Sequence, residues 1–194
     1  MSADGGSVNN PQSEPDDGAL IEAAQSDPDA FDALYRRYVT PVYRYCYARA
    51  GDRADAEDLT AQTFLAAMEG LSRYRGQGSF AAWLFGIARR KCADHHRSRY
   101  ASPGEPLDAA VGMPDPFAPD PEREADHNDV LDRIRLAWPH LSPDRREALT
   151  LRFWGGLKVR EIAAVMRRSE GAVKMLLSRA IADLRKRCLD EERV

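Results

Sequence analysis

The side chains in this chain best suited to chemistry are cations and aromatic rings, and that chemistry is binding rather than bond breaking. The stretch FAAWLFGIARRKCADHHRSR, Phe80 to Arg99, opens with Phe80, Trp83 and Phe85. It continues with Arg89, Arg90, Lys91, Arg97 and Arg99 against one acid, Asp94. Bases stack on aromatic faces while cations follow phosphates, so this order suits single-stranded or melted DNA. The same residues would equally serve as the core face and the solvated face of one helix. A second basic stretch, Val159 to Arg187, reads VREIAAVMRRSEGAVKMLLSRAIADLRKR. A short helix carrying Ile162, Ala163, Val165 and Met166 meets the polar break Arg167-Arg168-Ser169. A longer amphipathic helix follows, with Val173, Leu177, Ala180 and Leu184 on one stripe, flanked by Leu176 and Ile181. Ser169 is the expected N-cap. Two helices and a tight turn suggest a helix-turn-helix, whose second helix would enter a DNA major groove. With the stripe inward, Gly171, Lys174, Met175 and Ser178 point outward and Arg179 lies on the flank. A plain packed helical hairpin is the alternative.

Other chemistries find less support. Cys92, His95 and His96 lie close together, and Cys92 and His96 share a helix face at a spacing that can bind zinc. No further ligands complete a site, so neither a metal nor any other cofactor is expected, and the histidines read as part of the basic face. No phosphate-binding loop, nucleophile elbow or carboxylate pair signals catalysis, so the chain is not expected to be an enzyme.

These stretches must be positioned by helices. The 194 residues fit one or two domains, with 43% apolar residues. The net charge of −3 excludes a uniformly basic nucleic-acid binder, but the charge is unevenly placed. Seven acids and no Lys or Arg occur in Met1 to Ala30. The three cysteines form no CxxC pair, which fits a reduced cytoplasmic protein. Neither a signal peptide nor a membrane-spanning run is apparent. Met1 to Asp17 is too polar to offset ordering entropy and is predicted to be disordered. Helices are predicted from Ala19, from Asp27-Pro28 through Phe31, Leu34, Tyr35 and Tyr38, and from Ala54 to Leu71. Tyr74 to Gln77 is a predicted loop. Residues 101 to about 120 hold five prolines and several acids and form a predicted extended linker. A helix through Leu131, Ile134, Trp138 and Leu141 follows. Another starts at Ser142-Pro143-Asp144 and stops at Gly155-Gly156. The expected class is all-α, with two small helical domains joined by a flexible, acidic, Pro-rich linker.

At this point the chain resembles the sigma-70 family of bacterial RNA polymerase sigma factors, of the compact extracytoplasmic-function type. The resemblance runs roughly from Ala19 to Cys188 and rests on three blocks. DAEDLTAQTFL, Asp55 to Leu65, is similar to the core-polymerase-binding helix of region 2. FAAWLFGIARRKCADHHR, Phe80 to Arg97, is similar to the segment that melts and reads the −10 element. The run from Ser142 through LRFWGGLKVREIAAVM and SEGAVK to Arg185 is similar to region 4, which reads the −35 element. The resemblance implies a tail over 1–18, region 2 over 19–100, a linker over 101–127 and region 4 over 128–190. It implies core-polymerase contacts by Asp55, Glu57, Asp58, Leu59, Gln62 and Phe64. For the −10 region it implies Tyr74, Arg75, Ser79, Phe80, Arg89, Arg90, Lys91 and Arg97, with Trp83 assigned to the core. For the −35 region it implies Arg168, Glu170, Gly171, Lys174, Met175, Ser178 and Arg179. The implied partners are core polymerase and promoter DNA, with an anti-sigma factor as a further candidate and no membrane insertion.

Two departures limit what carries over. Met175 and Leu176 stand where many members have a small polar residue and then an arginine, and Arg90 stands where asparagine is frequent. Promoter sequences of relatives therefore do not transfer. Met175 suits a thymine methyl but makes no bidentate hydrogen bond. It also leaves open an apolar face that docks on protein. The chief alternative function is a helix-turn-helix regulator acting without polymerase. Ala19 to Tyr100 argues against it, because a regulator would carry a sensor or receiver domain there.

Overall fold

The structure is a computed structural model that describes residues 17–76, 78–100 and 129–190. Most of the expected disordered tail, Gln77 of the expected loop and the expected linker lie outside the described residues. Eight α-helices and no strand occur among the described residues: α1 (Asp17–Ser26), α2 (Phe31–Ala50), α3 (Arg53–Leu71), α4 (Phe80–Tyr100), α5 (Asp129–Ala137), α6 (Pro143–Phe153), α7 (Val159–Met166) and α8 (Glu170–Asp190).

Local chemistry sets most boundaries. The Asp27 side chain accepts from the Asp29 amide at 3.0 Å and caps a 3-10 turn, Pro28–Ala30, that runs into α2. Gly51 ends α2 in the left-handed region at φ 72, which a residue without Cβ adopts without strain. Asp52 then caps α3, accepting from the Asp55 amide at 2.9 Å. Ser142-Pro143 opens α6 as expected, although the Ser142 side chain makes no capping hydrogen bond.

Two expectations need correction. Asp17, assigned to the disordered tail, is the first residue of α1. Its carboxylate accepts from Arg37 Nη1 at 2.7 Å and from the Tyr38 hydroxyl. That ion pair ties α1 to α2, at a helix N-terminus where an acid is favoured. The helix expected through Trp138 and Leu141 ends at Ala137 and continues as a 3-10 turn, Trp138–His140. Pro139 has no amide to continue an α-helical ladder.

In the first half, α2, α3 and α4 bury Leu34, Val42, Tyr45, Cys46, Leu59, Phe64, Leu84 and Phe85. Each large apolar side chain so buried stabilises the fold by about 1.5–3 kcal/mol. In the second half, Trp138, Leu141, Leu149 and Ala180 form a smaller core, with Trp154 against Trp138 at 5.6 Å between ring centroids. The larger core does not stop at the boundary between halves. Ala148, Leu151, Leu157 and Ile162 of α6, α7 and their connection join the same apolar cluster as Phe85 and Leu84. The described residues of the two halves therefore pack against each other.

Candidate nucleic-acid interface

The helix-turn-helix is built by its turn. Arg167 takes the left-handed conformation, φ 54, at the end of α7, and the Arg168 amide donates back to the Ala163 carbonyl at 2.9 Å. Ser169 is the N-cap expected, its hydroxyl accepting from the Ala172 amide at 3.2 Å. Arg168 pairs with Asp144 and so ties the turn to the start of α6. At the other end of α7, Glu161 Oε2 accepts the Lys158 amide at 2.7 Å. Ile162, Ala163, Val165 and Met166 of α7 and Val173 and Ala180 of α8 are buried, so the angle between the helices is set by packing.

That packing leaves one face of α8 outward. Glu170, Gly171, Lys174, Met175, Ser178 and Arg179 are all exposed, Met175 at 51%. Leu176 is half-buried against the core. The outward set is the one that the apolar stripe predicts.

The basic half of α4 is arranged differently. Arg90 and Lys91 line a cavity of about 370 Å³, together with Arg73, Tyr74, Trp83 and Asp94. Arg97 is exposed and pairs with Asp94. Arg75 is exposed on the loop before α4. Tyr74 and Phe80, expected as DNA-facing aromatics, are 9% and 2% exposed. Phe80 packs between Tyr38, Tyr74 and Trp83, with centroids 5.4, 5.7 and 5.4 Å away. It therefore buttresses the cavity from behind. Trp83, assigned to the core, is only half-buried and lines the cavity. Helix periodicity explains the exchange: Phe80, Leu84 and Ala88 share the buried face, whereas Trp83, Ile87, Arg90 and Asp94 share the cavity face. Arg73 belongs to this site and was missed. Its only sequence signal is a cation just past the end of α3.

On α3, Asp55, Glu57, Asp58 and Gln62 lie away from the deepest core, while Leu59 and Phe64 are buried at 2% and 6%. The latter two hold the helix in place rather than offering it contacts. Asp55 lies 3.3 Å from His95 Nε2, Glu57 pairs with Arg53 at 3.0 Å, and Asp58 accepts from Gln62 at 2.7 Å. Leu65 continues the stripe of Asp58 and Gln62 and is 58% exposed, and Met68 is also exposed. Sequence reasoning missed both, although Leu65 lies three residues from Gln62 and Met68 three from Leu65. Cys92 does not face the histidines. Its thiol lies 3.9 Å from that of Cys46 in the core.

Two residues expected on DNA also meet the second half of the chain. Arg89 Nε lies 3.3 Å from Glu147 Oε1, and the Ser79 hydroxyl donates to Glu161 Oε1 at 2.8 Å. Glu147 also accepts from the Tyr45 hydroxyl and from Arg49 Nη1, each at 2.9 Å. Burial pushes the Tyr45 hydroxyl well above its ordinary range, and the Glu147 carboxylate adds to that. Burial alone would lower the Arg49 guanidinium, yet Glu147 and Tyr45 hold it above its usual value.

Residues 34–101 match the Sigma-70 region 2 family and residues 131–184 match the Sigma-70, region 4 family. The chain is 42% identical over 181 residues to the ECF RNA polymerase sigma factor BldN of Streptomyces coelicolor, covering 90% of this chain and 66% of that protein. It is 33% identical over 176 residues to the ECF RNA polymerase sigma factor SigD of Mycobacterium tuberculosis, covering 87% of this chain and 82% of that protein. The solved structure of CnrH in complex with the cytosolic domain of CnrY shares the fold. Its TM-score is 0.63 at 23% sequence identity, over 89% of this chain and 96% of that one.

Proposed function

The chain belongs to the sigma-70 family, in its extracytoplasmic-function group, and from that premise we propose how its parts divide the work of a promoter-specificity subunit. It binds core RNA polymerase and directs initiation by reading −35 duplex and by melting and reading −10 DNA. Residues 19–100 serve as region 2 and residues 128–190 as region 4, with 101–127 as the connection. The exposed face of α8 enters the −35 major groove. Lys174 and Arg179 contact phosphates or base edges, Gly171 permits close approach, and Met175 meets a thymine methyl. Arg168, Glu170 and Ser178 flank that contact.

At the −10 element, Arg73, Arg90 and Lys91 draw the opened strand to the cavity walled by Trp83 and Tyr74. Arg75, Ser79, Arg89 and Arg97 extend the track. Such a protein performs no covalent chemistry: binding energy offsets unstacking, at roughly a few kcal/mol per step. Asp55, Glu57, Asp58 and Gln62 dock on polymerase, with Leu65 and Met68 adding an apolar anchor beside the charges. The protein acts in the cytoplasm, where its polymerase is. An anti-sigma factor is a further partner in this reading.

The observation that carries this reading is the outward face of α8, displayed by a capped and packed helix-turn-helix. Run-off transcription with purified core polymerase and a library of promoter fragments tests it. Protein-dependent initiation at discrete sites is expected, and aligning those sites gives the −10 and −35 sequences. Duplex binding without initiation would favour a regulator that lacks polymerase contacts.

A further inference from the structure

Two walls of the −10 cavity, Arg73 and Tyr74, stand on a short turn just past the end of α3. The turn winds back on the helix. The Arg73 amide donates to the Gly70 carbonyl at 3.1 Å, and the Tyr74 amide to the Leu71 carbonyl at 3.0 Å. The last carbonyls of a helix lack the intrahelical donors of the earlier turns and take further donors from elsewhere. Here the further donor comes from 46 residues upstream. Gln25 Nε2, on α1, donates to the Leu71 carbonyl at 2.9 Å and to the Tyr74 carbonyl at 2.8 Å. Both hydrogens of one side-chain amide are thereby spent on the two ends of one turn.

Such a bond positions a turn only if its donor is itself held. Leu20, Ile21 and Ala24 pack α1 into the larger core. At the start of the helix, Asp17 accepts from Arg37 Nη1 and from the Tyr38 hydroxyl. Gln25 follows Ala24 directly, so its backbone is fixed although its side chain is exposed. On the far side of the turn, the Tyr74 hydroxyl donates to the Gly78 carbonyl at 3.2 Å. The Tyr74 ring lies 5.0 Å from that of Trp83 and 5.7 Å from that of Phe80, between centroids. A shift of the Tyr74 backbone therefore moves a ring that packs on both the wall of the cavity and its buttress.

We propose that Gln25 is a positioning residue for −10 reading: its amide fixes the turn from Leu71 to Tyr74, and with it the places of Arg73 and Tyr74 in the cavity wall. Gln25 acts through the turn and not on DNA. The proposal rests on the promoter-reading function given above. Its distinct content is that α1, which supplies none of the cavity residues, sets how selectively the cavity holds a base.

The test uses the full chain and Gln25→Met, which keeps the side chain long and uncharged and removes both donors. Ser26→Ala is the control. It loses only a bond within α1, to the Glu22 carbonyl, and should leave every readout as in wild type. Amide hydrogen exchange by NMR, without DNA, reads the turn. Exchange at Arg73 and Tyr74 should rise about fivefold in Gln25→Met. Fluorescence anisotropy with −10 single strands, each carrying one abasic site, reads the cavity. In wild type one position should cost roughly tenfold in affinity, as for loss of a base stacked on an aromatic ring, and in Gln25→Met that penalty should shrink to roughly threefold. The salt slope, set by the phosphates contacted, and the affinity for −35 duplex should not change. Unchanged exchange at Arg73 and Tyr74 would overturn the proposal. So would faster exchange with an undiminished abasic penalty, or the same effects from Ser26→Ala. Wild type with no penalty at any position, beside faster exchange in Gln25→Met, rejects the −10 role of the cavity and keeps the hold of Gln25 on the turn.

Discussion

Two basic helices, α8 and α4, carry an apolar side and a charged side, yet they present their cations differently. In α8 the neighbours α5, α6 and α7 all meet one stripe through Val173, Leu177, Ala180 and Leu184, so Lys174, Met175, Ser178 and Arg179 are exposed. In α4 the neighbours lie on several sides: α2, α3 and, from the other half, α7 all pack against it. Its cations are therefore divided between a cavity (Arg90, Lys91), a local ion pair (Arg97) and the carboxylate of Glu147 (Arg89). A helix packed on one side displays what its periodicity dictates. A helix packed on several sides displays only what its neighbours leave.

The largest effect that separates the two helices should be on stability. Phe85→Ala removes a fully buried ring shared by both halves of the molecule and should cost about 3–5 kcal/mol. Met175→Ala, on the exposed face of α8, should change stability by less than about 0.5 kcal/mol. Urea unfolding of the two variants checks this, and equal shifts in midpoint would erase the distinction.

A smaller effect sharpens the division of DNA binding. Lys174→Ala should weaken −35 duplex binding about tenfold at low salt and reduce the salt slope by about one. It should leave binding to a −10 single strand unchanged. Arg90→Ala should do the reverse. Fluorescence anisotropy with both probes over a salt series reads this. If either variant lost both activities equally, the two faces would not be independent.

The smallest effect is pH-dependent and belongs to the contact between halves. The Tyr45 hydroxyl is pushed above its ordinary value, near 10.0, by burial and by Glu147. Its neutral form is thus favoured in the folded protein. That contribution is fully present below about pH 10 and lost as pH rises above it. Thermal midpoints should fall across that range, and Tyr45→Phe should fall less steeply. Tyr38 is raised in the same sense, by burial and by its hydrogen bond to Asp17, so the variant removes only part of the slope.

Much of the site was legible in the sequence. Ser169 as a cap, the outward face of α8 and the start of α4 at Phe80 all follow from periodicity and hydrogen-bonding chemistry within one turn of helix. Phe80 and Trp83 show where that reasoning stops. Both are large aromatics near the start of one helix, and nothing local tells which is buried. The choice was made by Tyr38 on α2 and Tyr74 at the end of α3. Arg73 was missed for the same reason, since a lone cation after a helix is unremarkable until a cavity forms beside it. Leu65 is as apolar as Leu59 and Phe64 on the same helix, so nothing local marks it as the exposed one of the three.

Sequence by itself determined most of the helices, the caps at Asp27 and Ser169, the helix-turn-helix and the basic character of α4, because each depends on interactions among residues a few positions apart. Only the tertiary structure decided that Glu147 meets Tyr45, Arg49 and Arg89, and that Phe85 is sealed by Gly155. Those partners lie 58 to 102 positions apart in the chain. No local propensity records such a pairing. It forms because an apolar cluster continues from one half into the other and carries one buried carboxylate in among the cations.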